Sequence, residues 1–94
     1  MSTQATLFVR HKVADYAAWK QGYDGAESMR QQAGVTEASI HHDADDADTV
    51  IVVHKFPDLN AARAFAGADG LREAMMRAGV IGAPTFWFGV LAST

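Results

Sequence analysis

Hydrophobic positions along the chain change period in a fixed order. Leu7-Phe-Val-Arg-His-Lys-Val13 is rich in β-branched and aromatic residues and alternates in character, which predicts a strand. Tyr16, Trp19, Tyr23, Ala26, Met29 and Ala33 then recur in steps of three or four, the apolar stripe of one helix. Asp15 offers an N-cap carboxylate ahead of that stripe, and Gly34 suits the left-handed residue that closes it. Val35 to His42 and Thr49 to Phe56 read as two further strands joined by an acidic turn. Pro57 stops the third strand and Asp58 caps a helix with Leu59, Ala62, Phe65 and Ala66 on one face. Gly67 and Asp69-Gly70 break it. A second piece from Leu71 to Ala78 carries Leu71, Ala74, Met75 and Ala78, with Gly79 as its stop. Pro84 precedes a last strand, Thr85 to Leu91.

The same words occur twice in this β-α-β-β-α-β order. Val9-Arg-His-Lys-Val-Ala-Asp15 returns as Val52-Val-His-Lys-Phe-Pro-Asp58, so that His11 and His54, like Asp15 and Asp58, stand 43 positions apart. Two copies are too few for a solenoid. Two strand–helix–strand units predict an α+β, ferredoxin-like fold with a four-stranded antiparallel sheet, residues 1–94 forming one domain. Within it the repeat-equivalent strands one and three are expected side by side and parallel at the centre, with strands two and four at the edges. Two helices would cover one sheet face. The other face carries Phe8, Ile51, Val53 and Trp87, an apolar surface that asks for a partner, and a twofold homodimer is the simplest solution.

Composition narrows the function classes. The 94 residues hold no cysteine, which removes disulfides, thiolate metal ligands and a thiol nucleophile. The net charge is −3 and the eight basic residues are scattered, so no basic stripe for nucleic acid exists. No apolar run approaches a membrane span, and Met-Ser-Thr-Gln-Ala-Thr lacks the marks of a signal peptide, which together predict a cytoplasmic protein with no membrane partner. Asp43-Ala-Asp-Asp-Ala-Asp48 lacks the spacing of a calcium loop and reads as a solvated turn.

Candidate chemistry centres on the two histidines. His11 shares its strand face with Leu7, Val9 and Val13, and His54 shares its face with Val50, Val52 and Phe56, which assigns both to the helix side. They are expected as close neighbours at one end of the sheet. A neutral imidazole suits removal of a proton from an acidic phenol or activated methylene. The opposing reading has each histidine bonded to the Asp-capped turn four residues later, locking a corner that was simply copied. Trp19, Tyr23 and Phe65, with Met75, would face the sheet from the helices, either as plain core or as walls for a planar ligand. Asp24 and Arg30 read as solvated surface groups, and of His41-His42 one must point outward. Two histidines make no metal site without a third ligand, and no glycine-rich phosphate loop, nucleophile elbow or His-Glu-x-x-His pair is present, so no cofactor is predicted.

Val9-Arg-His-Lys-Val-Ala-Asp-Tyr-Ala-Ala-Trp-Lys20, Ala61-Ala-Arg-Ala-Phe-Ala66 and Leu71-Arg-Glu-Ala-Met-Met-Arg-Ala-Gly-Val80 resemble the dimeric α/β-barrel superfamily. The resemblance is to the small antibiotic biosynthesis monooxygenase-like or cyclase-like proteins, and it spans about Leu7 to Phe88. It implies paired ferredoxin-like sheets forming a barrel between two subunits, with a ligand pocket between sheet and helices in each. Relatives oxidise polyketide quinone precursors without a cofactor, degrade haem or isomerise small lactones. The haem-degrading branch has an Asn on the first strand, where this chain offers Arg10 and His11. The resemblance thus implies a cofactor-independent monooxygenase or cyclase for an aromatic or polyketide-like substrate, with His11 as base or polar anchor and His54 in support. The alternatives are a non-catalytic dimeric module that binds a metabolite, and a haem- or metal-dependent relative.

Overall fold

The computed structural model describes residues 3–93. Strand β1 (Ala5–Val13) leads into helices α1 (Tyr16–Gly25) and α2 (Glu27–Ala33), then strands β2 (Glu37–Asp43) and β3 (Asp46–Phe56). Helices α3 (Leu59–Ala66) and α4 (Asp69–Arg77) and strand β4 (Val80–Val90) complete the order. The four strands form one sheet in the order β2-β3-β1-β4, the ferredoxin-like arrangement.

Every ladder in this sheet is antiparallel, including β1 with β3. The expectation of parallel central strands is therefore corrected, and the cause is topological. A helical crossover returns the chain in the direction of β1, the β2–β3 hairpin then reverses it, and β3 runs opposite to β1 beside it. The two copies are related by a rotation that inverts strand direction.

Local chemistry sets the helix starts. The Asp15 carboxylate accepts from the Ala17 amide at 3.3 Å, and the Asp58 carboxylate accepts from the Ala61 amide at 2.8 Å. Caps of this kind contribute about 1 kcal/mol each. Gly34 closes α2 at φ 96°, a left-handed conformation that glycine adopts without a Cβ clash. The predicted first helix is two helices, parted at Ala26 (φ −99°, ψ 14°). Its stripe stays on one side across the break.

Three strands start earlier than the pattern predicts, β1 by two residues at Ala5 and β3 and β4 by more. β3 begins at Asp46, so the hairpin turn shrinks to Ala44-Asp45, and a register shift between His42 and Asp43 absorbs the mismatch of this short turn. β4 begins at Val80 and carries Pro84 inside it. Arg10 pairs with Thr85 and Lys12 with Ile81, which leaves Gly82, Ala83 and Pro84 opposite His11 alone. An edge-strand bulge of this kind tolerates a proline, since no ladder donor is required there, and Gly82 takes φ 71°.

One sheet face carries the core. Ala5, Leu7, Val9 and Val13 of β1 and Val50, Val52 and Phe56 of β3 are buried under Trp19, Ala62, Phe65 and Leu71 of the helices. Burying a side chain of the Leu or Phe class stabilises by roughly 1.5–3 kcal/mol, and Leu7 and Phe56 are fully covered. On the opposite face Phe8 stacks on Trp87, ring centroids 5.3 Å apart and 7° from parallel, and the Trp87 side is exposed. Ile51 and Val53 lie half-buried beside them. Ion pairs border this face: Arg10–Asp43, Lys12–Asp46 and Lys55–Glu37, at 3.2, 3.3 and 3.0 Å. The acidic turn is thus anchored at two of its carboxylates rather than merely solvated. Asp43 also accepts from the Asp45 amide, and Asp46 from the Thr49 hydroxyl and the Asp48 amide. No helix among the described residues is long and apolar enough to cross a membrane.

Candidate functional site

A small cavity of about 50 Å³ lies between the sheet and the helices. The strands supply His11 and His54, which the period-two alternation turns inward with Val9 and Val52. The helices supply Trp19, Tyr23 and Arg30 from the first copy and Phe65, Leu71 and Met75 from the second. All six residues singled out by the sequence (His11, His54, Trp19, Tyr23, Phe65 and Met75) therefore line one space. On the far side of Leu71 and Met75 lies a groove of about 280 Å³, lined by Val80, Pro84 and Phe86. Those two side chains belong to both walls.

The histidines are not neighbours. His11 stands opposite Val50 and His54 opposite Leu7, which puts four ladder positions, roughly 13 Å along the strands, between them. This follows from the antiparallel direction of β3 and corrects their expected pairing at one end of the sheet. The corner-locking role is absent too. Both Asp carboxylates are taken by helix amides, and the Nδ1 atoms of His11 and His54 have no hydrogen-bond partner.

His54 is instead tied to a helix. Its Nε2 lies 2.9 Å from the Tyr23 hydroxyl, with the donor set by the imidazole tautomer. Its ring also meets the edge of Phe65 at 5.6 Å between centroids. Burial, with the Arg30 charge adding to it, pushes the His54 pKa down to about 4. His11 packs against Trp19 at 5.5 Å and 56°. Burial lowers its pKa too, with its own backbone carbonyl acting weakly the other way. Both imidazoles are thus neutral at pH 7. The Tyr23 phenol is pushed up by burial, against a smaller pull from Arg30.

Rings continue away from the site: Trp19 to Tyr23 at 5.1 Å, Trp19 to Tyr16 at 5.9 Å, and Tyr16 to His42 at 4.6 Å. His42 is on the helix side of β2, while His41 is on the open face with its Nε2 2.9 Å from Ser39 Oγ. Both are exposed.

Arg30, expected at the surface, lies inside. It is only 8% exposed. Its guanidinium lies 3.6 Å from the centre of the Tyr23 ring, and Nη1 donates to the Tyr23 carbonyl at 2.6 Å. The spacing held the signal, because Arg30 follows Tyr23 by seven and Ala26 by four, on the buried stripe. Charge argued against burial and outweighed it. Asp24, by contrast, is exposed and paired with Lys20.

Among the described residues no three histidine or carboxylate side chains gather as a metal site would need. Beyond the inner cavity, a recess of about 320 Å³ opens at the β4 bulge, where His11 meets Gly82, Ala83, Arg10 and Lys12.

No protein-family model matches the chain, and no curated protein does. Solved structures do. A variant of SnoaB, a cofactor-independent oxygenase from Streptomyces nogalater, aligns at TM-score 0.76 and 13% identity over 99% of this chain and 97% of its own. A monooxygenase from ActVA-Orf6 of Streptomyces coelicolor, solved with nanaomycin D, aligns at 0.70 and 22% identity over 98% and 90%. A Nitrosomonas europaea protein of unknown function aligns at 0.72 and 20% over 98% and 92%. Across nearly its whole length, then, this chain has the ferredoxin-like fold of the antibiotic biosynthesis monooxygenase-like structures.

Proposed function

We propose that the protein binds a small planar molecule between sheet and helices and acts on it as a cofactor-independent monooxygenase or cyclase. The observation that carries this is the cavity itself: aromatic walls with few polar groups, among them two buried neutral imidazoles and a phenol. Sites of this kind, mostly apolar with convergent polar groups, are where small molecules bind and react. The fold shared with a cofactor-independent oxygenase and with a monooxygenase holding nanaomycin D supports the substrate class, an aromatic or polyketide-like molecule.

Roles divide by basicity. His54 is engaged with Tyr23 and titrates near 4, which makes it a poor base at neutral pH and a good polar anchor. His11 has no bond to another side chain and takes the role of base. An aryl-flanked methylene loses its proton to His11, and the carbanion reacts with dioxygen. One oxygen atom stays as the new carbonyl and the other leaves as water with both methylene hydrogens. Trp19, Tyr23, Phe65 and Met75 hold the rings. Ligand pockets span roughly 300–1,000 Å³. The inner cavity reaches the lower end of that range only when joined to the groove beyond Leu71 and Met75.

The assembly proposed is a homodimer closed through the open sheet face, with Phe8, Ile51, Val53 and Trp87 covered by the same face of a second copy. Residues 1–94 act as one domain within it, in the cytoplasm. Anthrone in air-saturated buffer tests the reaction. The protein should yield anthraquinone above the buffer rate, and His11→Phe should lose that gain with unchanged secondary structure. A second reading, a metabolite-binding module without turnover, is favoured by the small volume of the inner cavity. Saturable binding with no product by mass spectrometry would select it.

A further inference from the structure

Arg30 carries a buried charge that no carboxylate among the described residues neutralises. The side-chain ion pairs there are Arg10–Asp43, Lys12–Asp46, Lys20–Asp24 and Lys55–Glu37, and none includes Arg30. A guanidinium has five N–H donors. Here one hydrogen bond, to the Tyr23 carbonyl, is made to protein. That bond and the Tyr23 ring beneath the cation explain why Arg30 folds inward over the end of α1, where backbone carbonyls favour positive charge. They leave its other donors without a protein partner, facing the cavity and the recess that Arg30 borders. Taking an ion out of water is costly, and a ring face returns only part of that cost.

The surroundings say which side an anion would approach from. Toward solvent, Arg30 borders a surface recess with Asp24, Glu27 and Glu37, whose carboxylates repel a negative ligand. Toward the cavity it meets the Tyr23 phenol and His54, both uncharged, and apolar side chains. His11 on β1 is neutral as well. The inner side is therefore mostly apolar and holds no carboxylate to oppose the Arg30 charge. Met29-Arg-Gln-Gln-Ala-Gly-Val35 is echoed by Met76-Arg-Ala-Gly-Val80, yet Arg77, the counterpart of Arg30, is exposed on α4. The buried cation belongs to one copy of the repeat only.

We propose that the cavity takes its ligand as an anion, an ionised phenol oxygen docking on the Arg30 guanidinium beside the Tyr23 hydroxyl. This rests on the small-molecule reading above and adds to it the charge state and orientation of the ligand. A planar acid enters with its oxygen toward α2 and its rings toward Phe65 and Met75. A charge-assisted bond to a desolvated guanidinium is about twice as strong as a neutral one, so the ionised form is selected over the neutral acid.

The test uses 4-nitrophenol, whose phenolate absorbs apart from the phenol, and 4-nitroanisole, its uncharged counterpart. Each is titrated against the wild-type protein across the phenol's own ionisation range. The expected result is phenolate binding at least about tenfold tighter than the neutral phenol, seen as a drop of about one unit in the apparent pKa of bound 4-nitrophenol. Arg30→Met should remove that drop and Arg30→Lys keep part of it, with far-UV circular dichroism monitoring the fold. If Arg30→Met does not fold, the wild-type titration decides alone. Bound 4-nitrophenol ionising as it does in free solution, with 4-nitroanisole bound equally well, overturns the anion site and leaves the cavity reading intact. Binding of neither probe overturns both.

Discussion

Replacing Tyr23 with Phe should destabilise the protein, and then removing His54 as well should restore it. Among the described residues the Tyr23 hydroxyl is the only side-chain partner of the His54 ring, at 2.9 Å from Nε2, while Nδ1 already has none. His54 is 4% exposed, so its ring has little contact with bulk solvent to replace the lost hydroxyl. Tyr23→Phe leaves both ring nitrogens of a buried imidazole unpaired, one of them an N–H. A stranded buried donor or acceptor costs about 1–3 kcal/mol, whereas deleting both partners together is nearly neutral. His54→Leu alone should cost less than Tyr23→Phe, because the group it leaves unpaired belongs to a half-buried residue and not a buried one. For a chain of this length each kcal/mol moves the melting temperature by roughly 4–8 °C, so Tyr23→Phe should lower it by about 5–20 °C. Urea unfolding of the four proteins completes the cycle, with stability read from midpoints at a common slope. The reasoning fails if the double variant is no more stable than Tyr23→Phe, or if Tyr23→Phe unfolds with the wild type.

Other outcomes rest on the same structure. His54 has a depressed folded pKa, so the native state binds fewer protons than the unfolded chain between about pH 6.5 and 4. Stability is therefore whole above that window and is lost as pH falls through it, by about 3 kcal/mol at most. His11 acts in the same direction, and melting curves from pH 7 to 4 should flatten in His54→Leu. A Cβ on Gly22 would meet the Cβ of Ala78 at 2.9 Å, while one on Gly25 meets nothing within 4 Å. Gly22→Ala should cost about 1–3 kcal/mol by forcing α1 from α4, and Gly25→Ala should gain up to about 1 kcal/mol in urea unfolding. Met75→Ala should join the inner cavity to the groove, lowering stability by about 2 kcal/mol while tightening the binding of multi-ring aromatic probes in a fluorescence titration. An unchanged probe affinity would show that Met75 is no barrier.

Much of this fold was legible in the chain because it rests on local chemistry. Asp15 and Asp58 cap helices wherever the chain places them, Gly34 closes one, and alternation turned His11 and His54 inward without reference to any other segment. What was not legible depended on elements meeting. Strand direction is a property of the route between strands, and reading β3 as parallel to β1 brought the histidines together when the true ladder separates them. Pro84 marked a bulge inside β4, since an edge strand can spare a donor where a central one cannot. The helix break at Ala26 has no proline to announce it. Arg30 was hidden by its charge, although its spacing matched the stripe, because nothing local shows that a cation will lie over a ring.

The bulge in β4 has a consequence for access. His54 is flanked by unbroken pairing on both sides, with Leu7 on β1 and Ala38 on β2. His11 borders three residues with no ladder partner and touches the inner cavity and the outer recess at once. Two residues made equivalent by duplication thus differ in their route to bulk water. The recess at Gly82 and Ala83 gives His11 a second opening besides the inner cavity, whereas His54 borders the inner cavity alone. Access through the β4 bulge, as well as basicity, separates the two imidazoles.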